Sequence, residues 1–282
     1  MGVSFLKSIL ILTYGYERNT FMNIMIMTDL EGISGVDSID MMDREHEGYK
    51  RACSYLSGDI HAAVKGCLDA GADKVFVVDG HGGGNNLDPS LLDPRAYFCQ
   101  KKEWLQLIES GEINGYMEVG CHAKPGTYHG FLDHTQNSKK IFAYLYNGVE
   151  QGEIYQGAVY VGAYDVPFIM VAGDLSACVE GRALLGDIET AIVKEGIGRN
   201  QARCLPLEEA WIRIEKAAFS ACKHLSQYKP YKAILPLEVK VVFCRTDFCD
   251  EVNMSVRGRE RLDARTVRRF VPEIKTYSDI MI

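Results

Sequence analysis

In the stretch IMIMTDLEG (residues 24–32), Asp29 and Glu31 stand two residues apart at the end of an apolar run. If a strand continues through them, both side chains point to the same side. Two carboxylates so placed repel, and one tends to keep its proton unless a cation sits between them. A divalent metal is the direct remedy. Taken alone, Asp-x-Glu after a strand reads more simply as a solvated turn, so the rest of the chain has to decide.

Similar chemistry follows the other early apolar runs. VFVV leads into DGHGGGNN, MEVG into CHAKPGT and YHGFLDHT, and IFAYLYNG into VEQGE. In parallel α/β sheets the carboxyl ends of the strands open onto a shared crevice. Asp29, Glu31, Asp79, His81, His122, His134 and Glu153 can therefore converge on one sheet edge. Any one of these histidines alone reads as a surface or hydrogen-bonded residue. Three of the seven in the chain follow predicted strand ends, whereas His46, His61, His129 and His224 read as solvated or helix-surface residues. Mixed carboxylate and imidazole donors suit zinc, with manganese, cobalt or nickel as substitutes. Two neighbouring carboxylates, two histidines and a distant glutamate exceed what one catalytic zinc needs. They fit a two-metal hydrolytic site with one bridging carboxylate.

Competing chemistries are weaker. Gly82–Gly84 resembles a phosphate cradle, but no Lys-Ser/Thr follows and no GxGxxG opens a helix. No GxSxG elbow is present. Cys121 beside His122 has no orienting partner in CHAK and reads as a packing residue.

The elements that must position these groups come from periodicity. Apolar, β-rich runs predict strands at Asn23–Met27, Lys74–Val78, Met117–Gly120, Ile141–Tyr146, Pro167–Ala172, Glu189–Val193 and Val239–Phe243. Ala52, Leu56, Ile60, Val64 and Leu68 recur every four residues as one helix face, ended by Gly71 as a left-handed cap. A second helix fits Pro206–Gln227, with Trp211, Ile214, Ala218, Ala221 and Leu225 inward. The alternation predicts an α/β fold with a mostly parallel, Rossmann-like central sheet and a smaller second α/β unit. Residues 22–195 are expected to form the main domain and 196–282 the smaller unit, divided where GIGRN breaks the pattern. Residues 1–21 precede the periodic structure and read as a weakly ordered extension.

The chain has 282 residues, 47% hydrophobic and 24% charged, which is ordinary globular composition. A net charge of −7 without a Lys/Arg-rich block makes nucleic acid or an anionic membrane a poor partner. No run approaches the roughly 18 apolar residues of a membrane span. The N-terminus lacks the apolar core and cleavage site of a secretory signal. Nine scattered cysteines without a CxxC pair fit a reducing, cytoplasmic setting.

TDLEGISG resembles the SxDxEG signature of the M55 peptidases, a family of zinc D-aminopeptidases. The resemblance continues through VVDGHGGGNNL, VGCHAKPGTYHGFLDHT, NGVEQGE, AYDVPFIMVAGD and the tail VFCRTDFCDEVNMSVRGRERLDARTV, from about residue 22 to the end. Thr28 replaces the signature serine and keeps its hydroxyl. By this resemblance the metal ligands are Asp29, Glu31, His81, His122 and Glu153, holding two zinc ions per subunit with Asp29 as the bridge, and His134 is the catalytic histidine. The resemblance also implies small peptide substrates with an N-terminal D-residue, D-Ala peptides first, and a ring-like homo-oligomer, a decamer. The residues themselves leave two other readings open: another dinuclear amidase or phosphoesterase, or a non-catalytic peptide-binding protein.

Overall fold

The computed structural model describes residues 21–100 and 102–282. The expected extension, residues 1–21, lies outside them apart from Phe21. Six parallel strands form the centre: β1 (Asn23–Thr28), β2 (Lys74–Asp79), β3 (Ala96–Cys99), β4 (Gly115–Cys121), β7 (Phe168–Asp174) and β8 (Glu189–Gly198). Their order is β3-β2-β1-β4-β7-β8, with β9 (Gln201–Cys204) closing the edge antiparallel. Counted along this sheet, the parallel strands follow the doubly wound order 3-2-1-4-5-6, whose direction reverses between β1 and β4. The expected α/β fold is present.

Both sheet faces are covered, as a parallel sheet requires. On one face Ile24, Ile26, Met117 and Val119 pack against α1 (Glu47–Asp69) and α5 (Leu207–Lys223). Ala52, Leu56, Ile60 and Val64 are fully buried there, and Gly71 stops α1 with φ +102°. On the other face Met25 and Tyr116 meet Trp104 of α2 (Glu103–Glu109) and Ile154 and Tyr160 of α3 (Glu153–Ala163). Helix α4 (Leu175–Leu185) follows β7 directly.

Two predicted strands belong elsewhere. Ile141–Tyr146 (β5) and Leu237–Phe243 (β10) lie in a second, antiparallel sheet of order β11-β12-β10-β5-β6. It is completed by β6 (Val149–Gln151), β11 (Glu260–Arg261) and β12 (Thr266–Val271). The sheets therefore divide the chain differently from a cut at residue 196. Strands β5 and β6 precede that point, while α5, beyond it, packs on α1. GIGRN turns the β8–β9 hairpin within the main sheet.

The exits of β1 and β4 run in unusually close contact. Asp29 N donates to Val119 O at 2.8 Å and Gly32 N to Gly120 O at 2.8 Å. A Cβ at Gly32 would run into the Cys121 and Gly120 backbone, and one at Gly120, where φ is +95°, into that of Asp29. Only glycine lets two polypeptides pass so closely. Gly32→Ala is expected to cost about 1–3 kcal/mol through overpacking, read as a lower urea midpoint with an unchanged slope.

Candidate metal centre

Each donor reaches the crevice on a different element. Asp29 and Glu31 sit on the turn after β1, His81 on a short 3-10 turn after β2, and His122 directly after β4. His134 comes from the long loop between β4 and β5. Glu153 arrives on the first turn of α3, so a residue expected at a strand end stands on a different kind of element. All six line one cavity of about 900 Å³.

The distances describe a cluster. Asp29 Oδ1 is 3.2 Å from His81 Nδ1, and Asp29 Oδ2 is 3.2 Å from His122 Nε2. Glu31 Oε2 lies 2.9 Å from His81 Nδ1, and Glu153 Oε1 3.7 Å from His122 Nε2. His134 Nε2 is 4.0 Å from both Glu31 Oε1 and Glu153 Oε1, and its ring stacks on His122 at 4.0 Å between centroids. Two groups emerge whose donor atoms lie within 4.8 Å of one another: Asp29–Glu31–His81 and His122–His134–Glu153. His134 thus stands within ligand reach as well as beside the carboxylates.

The surroundings aim these donors. His122 Nδ1 faces Ala123 O at 3.1 Å, and His134 Nδ1 faces Leu132 O at 2.8 Å. An Nδ1–H donated to a carbonyl leaves Nε2 with its lone pair turned to the cavity, the tautomer a metal ligand or a base requires. Gln136 N donates to Glu153 Oε1 at 2.7 Å. Asp79 does not join the cluster. Its buried carboxylate accepts from Asn86 N at 2.6 Å and Leu87 N at 3.0 Å, while Asn86 Nδ2 donates to His81 O at 2.7 Å. Asp79 is therefore the staple of the His81 loop. Gly82, Gly83 and Gly84 all have positive φ, so the glycine run serves this tight return.

Sequence reasoning missed Lys194 of β8. Its buried ammonium donates to Glu31 O at 2.7 Å and Val36 O at 2.6 Å and lies 4.8 Å over the Phe131 ring. It thereby fixes the loop that carries Asp29 and Glu31. Asp59 on α1 holds the same loop, accepting from Ser34 N at 2.8 Å and from Trp211 Nε1 at 3.0 Å.

The electrostatics call for positive charge. Among the described residues, no lysine or arginine pairs with Asp29, Glu31 or Glu153. Burial would raise the Asp29 carboxyl, but hydrogen bonds with His122 and His81 hold it well below the usual aspartate value. Burial would lower His81, yet Asp29 and Glu31 push it up to about 11. His122 is likewise raised well above the usual value, against burial, by Asp29 and Glu153. A cluster of imidazole and carboxylate donors, with its tautomers preset by backbone carbonyls, fits a divalent transition metal.

These observations define a candidate transition-metal site at the switch point of a doubly wound sheet. A family model described as D-aminopeptidase, Peptidase M55, matches residues 22–281, and the chain belongs to that peptidase family. The D-aminopeptidase of Bacillus subtilis (strain 168) is 30% identical over 213 residues, which is 74% of this chain and 77% of that protein. The fold is that of the solved "Zn-dependent D-aminopeptidase DppA from Bacillus subtilis, a self-compartmentalizing protease", with a TM-score of 0.84 and 24% identity over 92% of this chain and 95% of that one.

Metal and protons compete for these donors. With His81 raised to about 11, its imidazole is charged at neutral pH in the metal-free protein. His122 shifts in the same direction. Zinc uptake at pH 7 is therefore expected to release more than one proton per chain and to weaken as pH falls. Calorimetry in two buffers of different ionisation enthalpy measures this, and a proton count of zero would contradict it.

Proposed function

We propose that this protein is a zinc-dependent D-aminopeptidase that removes an N-terminal D-residue, D-Ala first, from short peptides. The observation that supports this best is the division of Asp29 between two histidines. Oδ1 faces His81 and Oδ2 faces His122, each at 3.2 Å. A carboxylate presenting one oxygen to each of two donor groups is suited to bridge a metal pair. Glu31 and His81 would complete one metal position, and His122 and Glu153 the other. Zinc, when bound, supplies Lewis acidity that polarises the scissile carbonyl and makes water acidic enough to attack near neutral pH.

The chain's own residues supply the rest. The cavity holds a small peptide against the donor cluster, walled by Trp104, Tyr116, Ile154 and Tyr277. Their apolar surface limits water and strengthens polar contacts inside. His134 presents Nε2 to the carboxylate cluster, with Nδ1 engaged by the Leu132 carbonyl. It carries a proton from the attacking water to the departing amine. The breaking C–N bond leaves a carboxylate on the D-residue and a free amine on the remaining peptide.

The solved relative is titled self-compartmentalizing. That likeness supports assembly of this chain into a homo-oligomer with its active sites enclosed, and by the family resemblance we propose a ring-like decamer. Its nine cysteines are all unpaired, which supports a reducing, cytoplasmic setting. No described helix is long and apolar enough to cross a membrane.

A panel of D-Ala and L-Ala peptides, assayed after chelation and again after zinc is restored, tests the activity. Cleavage of the D-peptides is expected to vanish with chelator and return with metal. A protein that stays inactive toward every peptide with two zinc ions bound would sink the proposal. His134→Ala is expected to keep both metals by elemental analysis while losing about 10²–10⁴-fold in kcat, the usual reach of general acid–base catalysis. Asp29→Asn is expected to lose both metals, and Glu31→Gln to weaken one more than the other. Loss of metal in His134→Ala would instead make His134 a ligand.

A further inference from the structure

One carboxyl in the cavity remains without a role. Glu118 lies on β4, pointing to the same face as Tyr116, and its side chain lines the cavity. Its Oε1 accepts from Tyr116 OH at 2.7 Å and its Oε2 from Cys121 Sγ at 3.4 Å. Cys121 reaches it because the register slips between Val119 and Cys121, where Gly120 has φ +95°. Helix α3 makes room for the carboxyl with Gly157, where a Cβ would collide with Glu118 Oε1. Both partners are neutral donors. Among the described residues no lysine, arginine or histidine pairs with Glu118, although a carboxylate offers about four acceptor positions. Burial pushes its carboxyl up to about 8, and the negative charges of Glu153 and Asp29 add to this. A carboxyl has thus been placed beside the donor cluster, given space by a glycine, and left without a counter-charge.

We infer that Glu118 is the group that receives the free α-ammonium of the substrate, and so restricts the enzyme to unblocked N-termini. This rests on the aminopeptidase reading and names the residue that would enforce it. An ammonium carries three N–H donors and one positive charge. Its charge-assisted hydrogen bond to Glu118 is strong in a site walled by Trp104, Tyr116 and Tyr277. A peptide acylated at nitrogen, or lacking it, would leave Glu118 without a cationic partner.

The test compares D-alanine hydroxamate with propionohydroxamate, which differs only in lacking the amine. Both are titrated by calorimetry into the zinc-loaded full chain and into Glu118→Gln, which keeps the shape of the side chain. Wild-type protein is expected to prefer the amine-bearing ligand. Glu118→Gln is expected to lose about 10–100-fold of that preference, the range for a hydrogen bond to a charged partner. Zinc content should be unchanged. Gly157→Ala, which displaces the carboxyl without removing it, should shift the preference in the same direction by less, and it serves where Glu118→Gln does not fold. A wild-type protein without amine preference, or a Glu118→Gln protein that retains it, overturns the inference. If D-alanyl peptides are cleaved and Glu118→Gln keeps the preference, the inference alone falls. If the preference depends on Glu118 but no peptide is cleaved, the amine site stands and the peptidase reading falls.

Discussion

Three carboxylates, Asp29, Glu31 and Glu153, are drawn into one cavity and partly removed from water. At an effective dielectric constant near 20, two unit charges about 4 Å apart interact by about 4 kcal/mol. A whole domain is stable by only about 5–15 kcal/mol. Repulsion on this scale cannot be left standing. It demands positive charge at the centre, and three imidazoles are gathered around it, while among the described residues no lysine or arginine pairs with these carboxylates. A permanent cation would fill the place that a metal takes. Imidazoles answer the carboxylates when protonated and become ligands when they lose the proton, so the same residues suit both conditions.

The sheet makes that gathering possible. The crevice lies where the strand order reverses between β1 and β4, so helices leave in opposite directions and the two strand ends stay open. Asp29 and His122 come from those two strands, and His81 from the next one out. Gly32 and Gly120 let the exits of β1 and β4 touch through their backbones. Lys194 then ties the loop from below. Its ammonium is satisfied by the Glu31 and Val36 carbonyls and by the Phe131 ring. Phe131 N is in turn held by Asp174 Oδ2 at 3.1 Å. Phe131 belongs to the loop that carries His134, so one buried cation holds both halves of the centre in register.

The candidate metal donors were legible in the sequence because each stands at the end of an apolar run or next to a glycine. Those are the positions where a strand must stop and a loop must turn. Direction was not legible. IFAYLY reads as a buried strand whichever sheet it enters, and β5 pairs with β10 rather than with the parallel core. Helix α3 escaped for another reason. EIYQGAVYVGA is buried on nearly every side, so it lacks the polar stripe that gives a helix its period. Lys194 and Glu118 were invisible because a charge within a strand reads as its solvent face. Only the fold shows that both faces of those strands are covered.

The second sheet reaches the centre through a continuous chain of hydrogen bonds. Gln136 N binds Glu153 Oε1 at 2.7 Å, and its side-chain amide donates to Gln156 Oε1 at 2.8 Å. Gln156 Nε2 donates to Tyr146 OH at 2.8 Å, and Tyr146 OH donates to Ile280 O at 2.8 Å. A carboxylate of the donor cluster is thereby linked to the last turn of the chain. Tyr277 of that turn lines the cavity and packs edge-on against Trp104 at 5.6 Å between ring centroids. The C-terminal segment is therefore part of the wall of the cavity, and β5 and β10 hold that wall against α3. Buried Gln156 and Tyr146 lie far in sequence from the turn they support, yet each has a polar atom that only this arrangement satisfies. In a low-dielectric interior an unmatched polar group is expensive. The same hydrogen bonds that satisfy the interior of the second sheet also fix where Glu153 points.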